Sequence, residues 1–192
     1  MIIDKLKTSL IACICEGGAE TAIMDILIDN DLLIFNREQL IDECVLKRTS
    51  VKEFEERYLR REYDQRILIL RIIDSRREEF NLSKAYRCQV DVINVITAPE
   101  IEMLIIASKR KYNDFCSSGI KKPSQFCKSV LKMNNVKSSE FIKKYFDNTN
   151  FLVESIKAYN RVHKRKNNET TLFDLLKNCT LYNEIEQKND SS

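Results

Sequence analysis

Residues 8–18 read Thr-Ser-Leu-Ile-Ala-Cys-Ile-Cys-Glu-Gly-Gly, an apolar run that ends in an acidic residue and two adjacent glycines. The length of the run and the glycines after it predict a buried strand over Thr8–Cys15, followed by a tight turn. Residues 20–29 then place apolar side chains on one helical face. Because the chain contains only three glycines, two of them together indicate an unusual backbone, and we expect a positive φ or a close ligand approach at Gly17 or Gly18.

Two further segments have the character of strands. Residues 66–73 (RILILRII) are nearly all β-branched or Leu, as in a strand covered on both faces, and they end at Asp74. Residues 89–96 (QVDVINVI) alternate between polar and apolar side chains and stop at Thr97. We therefore predict an α/β fold with a mostly parallel sheet flanked by helices. The low content of Gly and Pro argues against a turn-rich all-β fold.

Most of the remaining segments predict helices. One short strand is expected at Leu32–Phe35, and Pro99 is expected to open a long helix to about Phe115, because Pro is favoured in a first helical turn. The other predicted helices are Arg37–Leu46 with Asn36 as its cap, Ser50–Arg61 with a capping box of Ser50 and Glu53, Lys122–Met133, Ser138–Phe146, Asn150–Arg165 and Leu172–Asn178. We divide the chain into an α/β domain over 1–115, a helical C-terminal extension over 116–186 and a flexible tail over 187–192.

Composition excludes several classes of protein. A single histidine, His163, rules out zinc sites that need two, and we expect it on the surface. The sequence contains no phosphate-binding Gly-x-x-x-x-Gly-Lys-Ser/Thr loop. Its apolar runs fall short of the roughly 18 residues that a membrane span needs, so we expect a cytoplasmic protein with no membrane contact. Cys13 and Cys15 share one face of the first strand, as small core residues or, alternatively, as a redox pair.

Acidic residues follow each of the three main predicted strands. Glu16 comes directly after the first strand, Asp74 after the second, and Glu100 and Glu102 soon after the third. The carboxyl ends of parallel strands meet at one edge of an open α/β sheet, where ligands bind. Carboxylates that meet there repel one another unless a cation lies between them, and oxygen ligands suit Mg²⁺. The alternative is that each residue only stabilises the N-terminus of a helix.

Charge is unevenly distributed along the chain. Residues 1–102 carry 15 Lys and Arg against 20 Asp and Glu, whereas residues 103–192 carry 17 against 9. A basic second half indicates a polyanionic partner such as nucleic acid, unless these residues only form solvated helix surfaces. The candidate nucleic-acid-binding residues are Arg76, Arg77, Lys109, Arg110, Arg161, Lys164, Arg165 and Lys166.

Three of these segments resemble motifs of the Toprim family. Residues 14–18 (ICEGG) resemble its first motif, a hydrophobic strand that ends in Glu and is followed at once by Gly. Residues 72–76 (IIDSR) lie where Toprim proteins carry a strand ending in Asp-x-Asp. Residues 98–104 (APEIEML) are similar to the later Asn-Pro-x-Phe-Glu helix of the small RloB-like proteins of bacterial defence loci. The resemblance covers residues 8–115, and the overcoming-lysogenization-defect nucleases belong to the same family.

The resemblance implies a metal-dependent nuclease and gives roles to individual residues. Glu16 matches the family's general acid/base or metal ligand, Asp74 the first aspartate of Asp-x-Asp, and Glu102 the glutamate of the later helix. Arg76 stands in place of the second aspartate, which Glu78 could replace as a ligand. Mg²⁺ or Mn²⁺ held by these carboxylates would support hydrolysis of DNA or RNA, including tRNA, in bacterial anti-phage defence.

The same likeness implies partners and leaves one alternative open. Nucleic acid would be the substrate, an ATPase partner protein would restrain the nuclease, and the chain could form a homo-oligomer. The departure from Asp-x-Asp at Ser75-Arg76 favours the alternative, a catalytically inactive Toprim module. Such a module would serve as a nucleic-acid-binding or regulatory subunit of a defence complex that contains an ATPase.

Overall fold

The computed structural model describes residues 2–166 and 169–177, so the predicted tail at 187–192 lies outside the described residues. A four-stranded sheet forms the centre, with strands β1 (Leu10–Cys15), β2 (Leu46–Lys47), β3 (Ile67–Ile73) and β4 (Asp91–Ile96). The strands lie in the order β2-β1-β3-β4, and every neighbouring pair is parallel. This arrangement confirms the predicted α/β fold with a parallel sheet.

The central strand β3 is covered on both faces of the sheet. All 7 of its residues are buried, and all except Arg71 are Leu or Ile, as expected for a strand with no solvent face. Leu68, Leu70 and Ile72 belong to the larger hydrophobic cluster, whereas Ile67 and Ile69 belong to a second cluster. Alternate side chains of one strand therefore pack into two separate layers.

Helices form both of these layers. Those of the described residues are α1 (Ile2–Thr8), α2 (Gly18–Asp29), α3 (Val51–Phe54), α4 (Met103–Ser108), α5 (Tyr112–Ser117), α6 (Pro123–Ser129), α7 (Ser139–Tyr145) and α8 (Thr149–Val162). A π-helical segment, Glu55–Leu59, extends α3, and Ser50 and Glu53 form the predicted capping box at its start. The helices α2, α4, α6, α7 and α8 contribute to the larger cluster, and α3 to the second. The C-terminal helical unit is present as predicted.

The predicted helix Arg37–Leu46 is wrong. Asn36 caps a turn there as expected, since its side chain accepts a hydrogen bond from Gln39 N, but only two short 3₁₀ turns form. Asp42 and Glu43 have φ values of 56° and 51°. A left-handed backbone cannot continue a right-handed helix, so the segment turns instead toward β2.

The predicted long helix from Pro99 is also wrong. Residues 99–102 form tight turns before α4, and α4 ends where Arg110 takes a φ of 57°. The separate short helix α5 follows. The predicted strand Leu32–Phe35 is reduced to an isolated bridge at Leu33, and the last predicted helix is a 3₁₀ turn.

Several helix ends meet at the carboxyl edge of the sheet, which we define as the edge where β1, β3 and β4 end. There α2 begins after β1, and α4 after β4. The start of α7 lies beside the start of α2, since a methyl group at Gly18 would lie 3.6 Å from Ser139 N. The C-terminal turn of α8 reaches the same edge, where Tyr159 Oη donates to Ala98 O at 2.9 Å. The candidate site lies at this edge.

One hydrophobic cluster joins the two predicted parts of the chain. Phe126 of α6, Ile142 of α7 and Leu152 of α8 pack in the same cluster as residues of β1, β3 and α2. Phe126 is 1% exposed, and its ring meets that of Phe115 edge to face with centroids 5.5 Å apart. The C-terminal helices therefore share their core with the α/β part.

Replacing Phe126 with Ala should destabilise the whole chain by about 3–5 kcal/mol, because it leaves a cavity in this shared cluster. The matched control is Val130→Ala, near the end of the same helix, at a residue that is 49% exposed. It should change the free energy of unfolding by less than about 0.5 kcal/mol. Denaturant unfolding followed by circular dichroism measures both. Two separate transitions in Phe126→Ala, with the sheet unaffected, would contradict a shared core.

Candidate functional site

Glu16 and Asp74 lie side by side at the carboxyl edge. They follow β1 and β3, which are neighbours in the sheet. Glu16 N donates to Ile72 O at 3.3 Å, and Asp74 N donates to Glu16 Oε2 at 3.2 Å. Burial raises the pKa of the Asp74 carboxyl, and the charge of Glu16 and a hydrogen bond between the two side chains raise it further. The two strongest candidates from the sequence are thus in direct contact.

Further carboxylates surround this pair. Glu20 lies in the first turn of α2, and burial raises its pKa, with added repulsion from Glu16 and Asp74. Glu102 is 2% exposed, and burial raises its pKa to about 7. The charge of Glu100 adds to the pKa shifts of both Asp74 and Glu102. The edge is therefore an acidic cluster whose members raise one another's pKa.

Glu100 is the exception because the C-terminal helices supply its partners. Ser124 N, at the start of α6, donates to Glu100 Oε2 at 2.8 Å, and Lys137 Nζ lies 2.8 Å from Glu100 Oε1. Burial raises the pKa of Glu100, but the Lys137 and Ser124 contacts outweigh it and hold the pKa below its usual range. Lys137 also stabilises the charged forms of Asp74 and Glu102. The helical extension thus provides a cation for the acidic cluster.

Glu16 also belongs to a series of ion pairs in which carboxylates and arginines alternate. Arg48 Nη1 donates to Glu16 Oε1 at 2.5 Å, and Arg48 Nη2 donates to Glu78 Oε2 at 3.0 Å. The other oxygen of Glu78 binds Arg71, a buried residue of β3. Arg71 is fixed in turn by Asn94 and the Glu78 carbonyl. Glu78 is therefore an anchor for two arginines rather than a partner of Asp74.

The four predicted metal ligands do not form one cluster. Glu16 and Asp74 are in contact and Glu78 is bound by arginines, whereas Glu102 is buried near Lys137, Glu100 and Glu20. Among residues 2–166 and 169–177, no group of three or more His, Cys, Asp or Glu side chains has the geometry to hold a metal ion. The Glu16–Asp74 pair still fits Mg²⁺ in its donor chemistry, because protein-bound Mg²⁺ is often held by one or two carboxylates plus water and phosphate oxygens.

The two glycines adopt ordinary conformations, so the predicted positive φ is wrong. Gly17 is extended with φ −144° and ψ −178°, and Gly18 is the first residue of α2. Only Gly17 lies close enough to another group for its lack of a side chain to matter. A methyl group at Gly17 would lie 2.9 Å from Glu20 Oε2, whereas one at Gly18 would make ordinary contacts of 3.6 Å with Lys137 O and Ser139 N. Gly17 thus leaves room for a carboxylate of the cluster.

The predicted nucleic-acid-binding residues come from several elements. Arg76 follows β3, Arg161 lies in the last turn of α8, and Lys164 follows that helix. Lys109 and Arg110 follow the last turn of α4.

Some of these cations already have carboxylate partners. Arg76 Nε donates to Glu169 Oε1 at 2.5 Å, and Arg165 Nη1 donates to Asp174 Oδ1 at 2.8 Å. By contrast, the other predicted cations are exposed and have no side-chain ion pair within the described part of the chain: Arg77, Lys109, Arg110, Arg161, Lys164 and Lys166. These are the side chains with charge available for a polyanion.

His163 is not a surface residue. Its side chain is 10% exposed, and its Nδ1 lies 3.0 Å from Tyr159 Oη. Burial lowers the pKa of His163. Cys13 and Cys15 are buried free cysteines in one cluster, and burial raises the pKa of the Cys15 thiol. Burial therefore opposes ionisation of both the His163 imidazole and the Cys15 thiol.

Sequence reasoning missed Arg48, Lys137 and Glu20. Arg48 follows a strand of two residues, too short to have a recognisable pattern. Lys137 lies in a connection before α7, and its partner Glu100 is 37 residues away. Glu20 was visible only as an acidic residue in the first turn of a helix, a position common for reasons of the helix dipole.

No match to this chain was found among protein-family models, curated proteins or solved structures. The Toprim resemblance therefore stays a prediction that depends on the residues quoted above. Within the described residues, no helix has both the length and the apolar character to cross a membrane.

Glu102→Gln should stabilise the chain at neutral and alkaline pH. The pKa of Glu102 is about 7 in the fold against an ordinary value of 4.5, so its ionisation opposes folding. This cost is absent below about pH 4.5 and grows as the pH rises toward 7. Removing it should raise the free energy of unfolding by on the order of 1–3 kcal/mol at pH 8.

Thermal and urea unfolding at pH 5, 6, 7 and 8 measures this difference. Glu62→Gln removes an exposed carboxylate just before β3 and serves as the matched control. An equal effect of Glu102→Gln at pH 5 and pH 8 would show that Glu102 does not titrate in this range.

Proposed function

We propose that the chain is a divalent-metal-dependent phosphodiesterase that acts on nucleic acid. The observation that carries the proposal is the contact between Glu16 and Asp74 at the ends of two adjacent parallel strands. An open parallel sheet binds its ligands at this edge. The Toprim resemblance supports the same two residues independently of their geometry.

Glu16 and Asp74 would hold Mg²⁺ or Mn²⁺, which when bound polarises a phosphodiester and activates water. Glu16 is also the general acid/base that the resemblance implies. Exposed Arg77, Arg161 and Lys164 would draw the phosphate backbone of DNA or RNA, including tRNA, toward the acidic cluster. In this arrangement the exposed basic side chains would bind the phosphate backbone, and the acidic cluster would hold the cation at which the substrate reacts.

The biological setting of the proposal rests on the sequence alone. The resemblance implies a role in bacterial anti-phage defence with an ATPase partner protein that restrains the nuclease, whereas the proposed cytoplasmic location comes from the short apolar runs of the sequence. Self-association as a homo-oligomer is part of the same proposal.

A second candidate function is a catalytically inactive module that binds nucleic acid or regulates a complex containing an ATPase. Two observations favour it. Arg48 already neutralises Glu16, and Arg76 stands where the resemblance requires a second aspartate and is paired with Glu169. A carboxylate site that has its own cations could bind a partner without catalysing a reaction.

Glu16→Gln and Asp74→Asn should each reduce metal-dependent cleavage by at least about 100-fold, because each removes a charged ligand while keeping the side-chain shape. Purified protein is incubated with DNA, single-stranded RNA and tRNA, with and without Mg²⁺ or Mn²⁺, and products are resolved on denaturing gels. Glu62→Gln, an exposed carboxylate at the other end of the sheet, should cleave like the unsubstituted chain.

Intact substrates under all metal conditions, together with retained binding of nucleic acid in a gel-shift assay, would favour the inactive module. Cleavage that survives both Glu16→Gln and Asp74→Asn would place the active site elsewhere. The assay is repeated with any co-purifying ATPase removed, because such a partner could mask activity.

A further inference from the structure

Arg48 is the residue of the carboxyl edge that most directly opposes binding of a metal ion. Its guanidinium contacts Glu16 Oε1 at 2.5 Å, while Glu16 Oε2 accepts the hydrogen bond from Asp74 N. Both oxygens of Glu16 therefore have donors in this structure. A divalent cation that binds Glu16 through Oε1 has to share that oxygen with Arg48 Nη1 or displace it.

The surroundings of Arg48 allow it to leave Glu16 without disturbing the fold. Its side chain is 58% exposed, and it follows the two-residue edge strand β2. Its second contact, Glu78, is held in place by an ion pair with Arg71, whose side chain is 5% exposed. Arg48 can therefore lose its contact with Glu16 and remain attached to Glu78.

We infer that Arg48 is an internal counter-ion of Glu16 that competes with the divalent cation and so sets the metal concentration at which the site fills. The inference rests on the proposed function, since it needs a metal at Glu16. The competition is electrostatic: one carboxylate cannot be fully neutralised by both cations, and each weakens the binding of the other. Because Arg48 is largely exposed, its effect is moderate and depends on ionic strength.

The test is Mn²⁺ binding to the purified full chain, measured by isothermal calorimetry and by loss of the free Mn²⁺ signal in electron paramagnetic resonance, without substrate. Arg48→Gln should bind Mn²⁺ about two- to fivefold more tightly than the unsubstituted chain at low salt, and the difference should shrink as salt is added. Arg48→Lys should fall between the two, because an ammonium cannot bridge two carboxylates as a guanidinium does.

Arg60→Gln is the matched control. It removes the same charge at a side chain that is 69% exposed and pairs only loosely with Glu56, at 3.9 Å. It should leave Mn²⁺ affinity unchanged, which separates a local effect of Arg48 from a change in net charge. Thermal unfolding of each variant confirms that the fold is retained.

The outcomes distinguish this inference from the proposed function. Equal affinities in Arg48→Gln and the unsubstituted chain, with binding lost in Glu16→Gln, overturn the role of Arg48 and leave the metal site standing. No Mn²⁺ binding in any variant, or binding that persists in Glu16→Gln, overturns both. Binding that appears only in Arg48→Gln supports competition in its strongest form.

Discussion

The repulsion between Glu16 and Asp74 is the constraint on which the carboxyl edge depends. Two adjacent parallel strands end together, and each ends in a carboxylate, so negative charge collects where the backbone leaves it no room to separate. The fold answers with cations from both sides. Arg48 directly follows β2, and Lys137 comes from the connection before α7. Arg48 pairs with Glu16 and Lys137 pairs with Glu100, so each cation partly neutralises one of the carboxylates at the ends of the strands.

The compensation is incomplete, which is what makes the edge a candidate for chemistry. Burial and mutual repulsion raise the pKa values of Asp74, Glu20 and Glu102, whereas Glu100 alone has enough partners to hold its pKa down. A purely structural ion-pair network would satisfy all of its members. Excess negative charge at the end of a parallel sheet is the condition under which an added cation binds.

Much of the fold could be predicted because strands that are buried on both faces leave an unmistakable pattern. The apolar runs of β1 and β3 and the alternating pattern of β4 are recognisable in the sequence, and the ends of β1 and β3 place Glu16 and Asp74 at one edge. What failed was local backbone geometry. The amino-acid sequence does not indicate that Asp42, Glu43 and Arg110 take left-handed conformations. These residues interrupt two predicted helices.

The partners of the carboxylates could not be predicted for a different reason. Arg48 is 32 residues from Glu16 and Lys137 is 37 residues from Glu100, and an Arg or Lys carries no mark of which distant acid it will meet. The glycines show the reverse error. The adjacent glycines predict an unusual φ that neither adopts, and only Gly17 lies close to another group, the Glu20 carboxylate.

The position of Glu100 has a consequence for any attempt to shorten the protein. Its carboxylate belongs to the α/β part, yet Ser124 and Lys137, which hold it, come from the segment that looks dispensable in the sequence. A fragment that stops near residue 115 would keep every sheet-end acid and lose one of the cations that make their proximity tolerable. The carboxylates on one side of the predicted domain boundary therefore have their cation partners on the other side. A minimal version of this protein has to include α6 and the connection before α7.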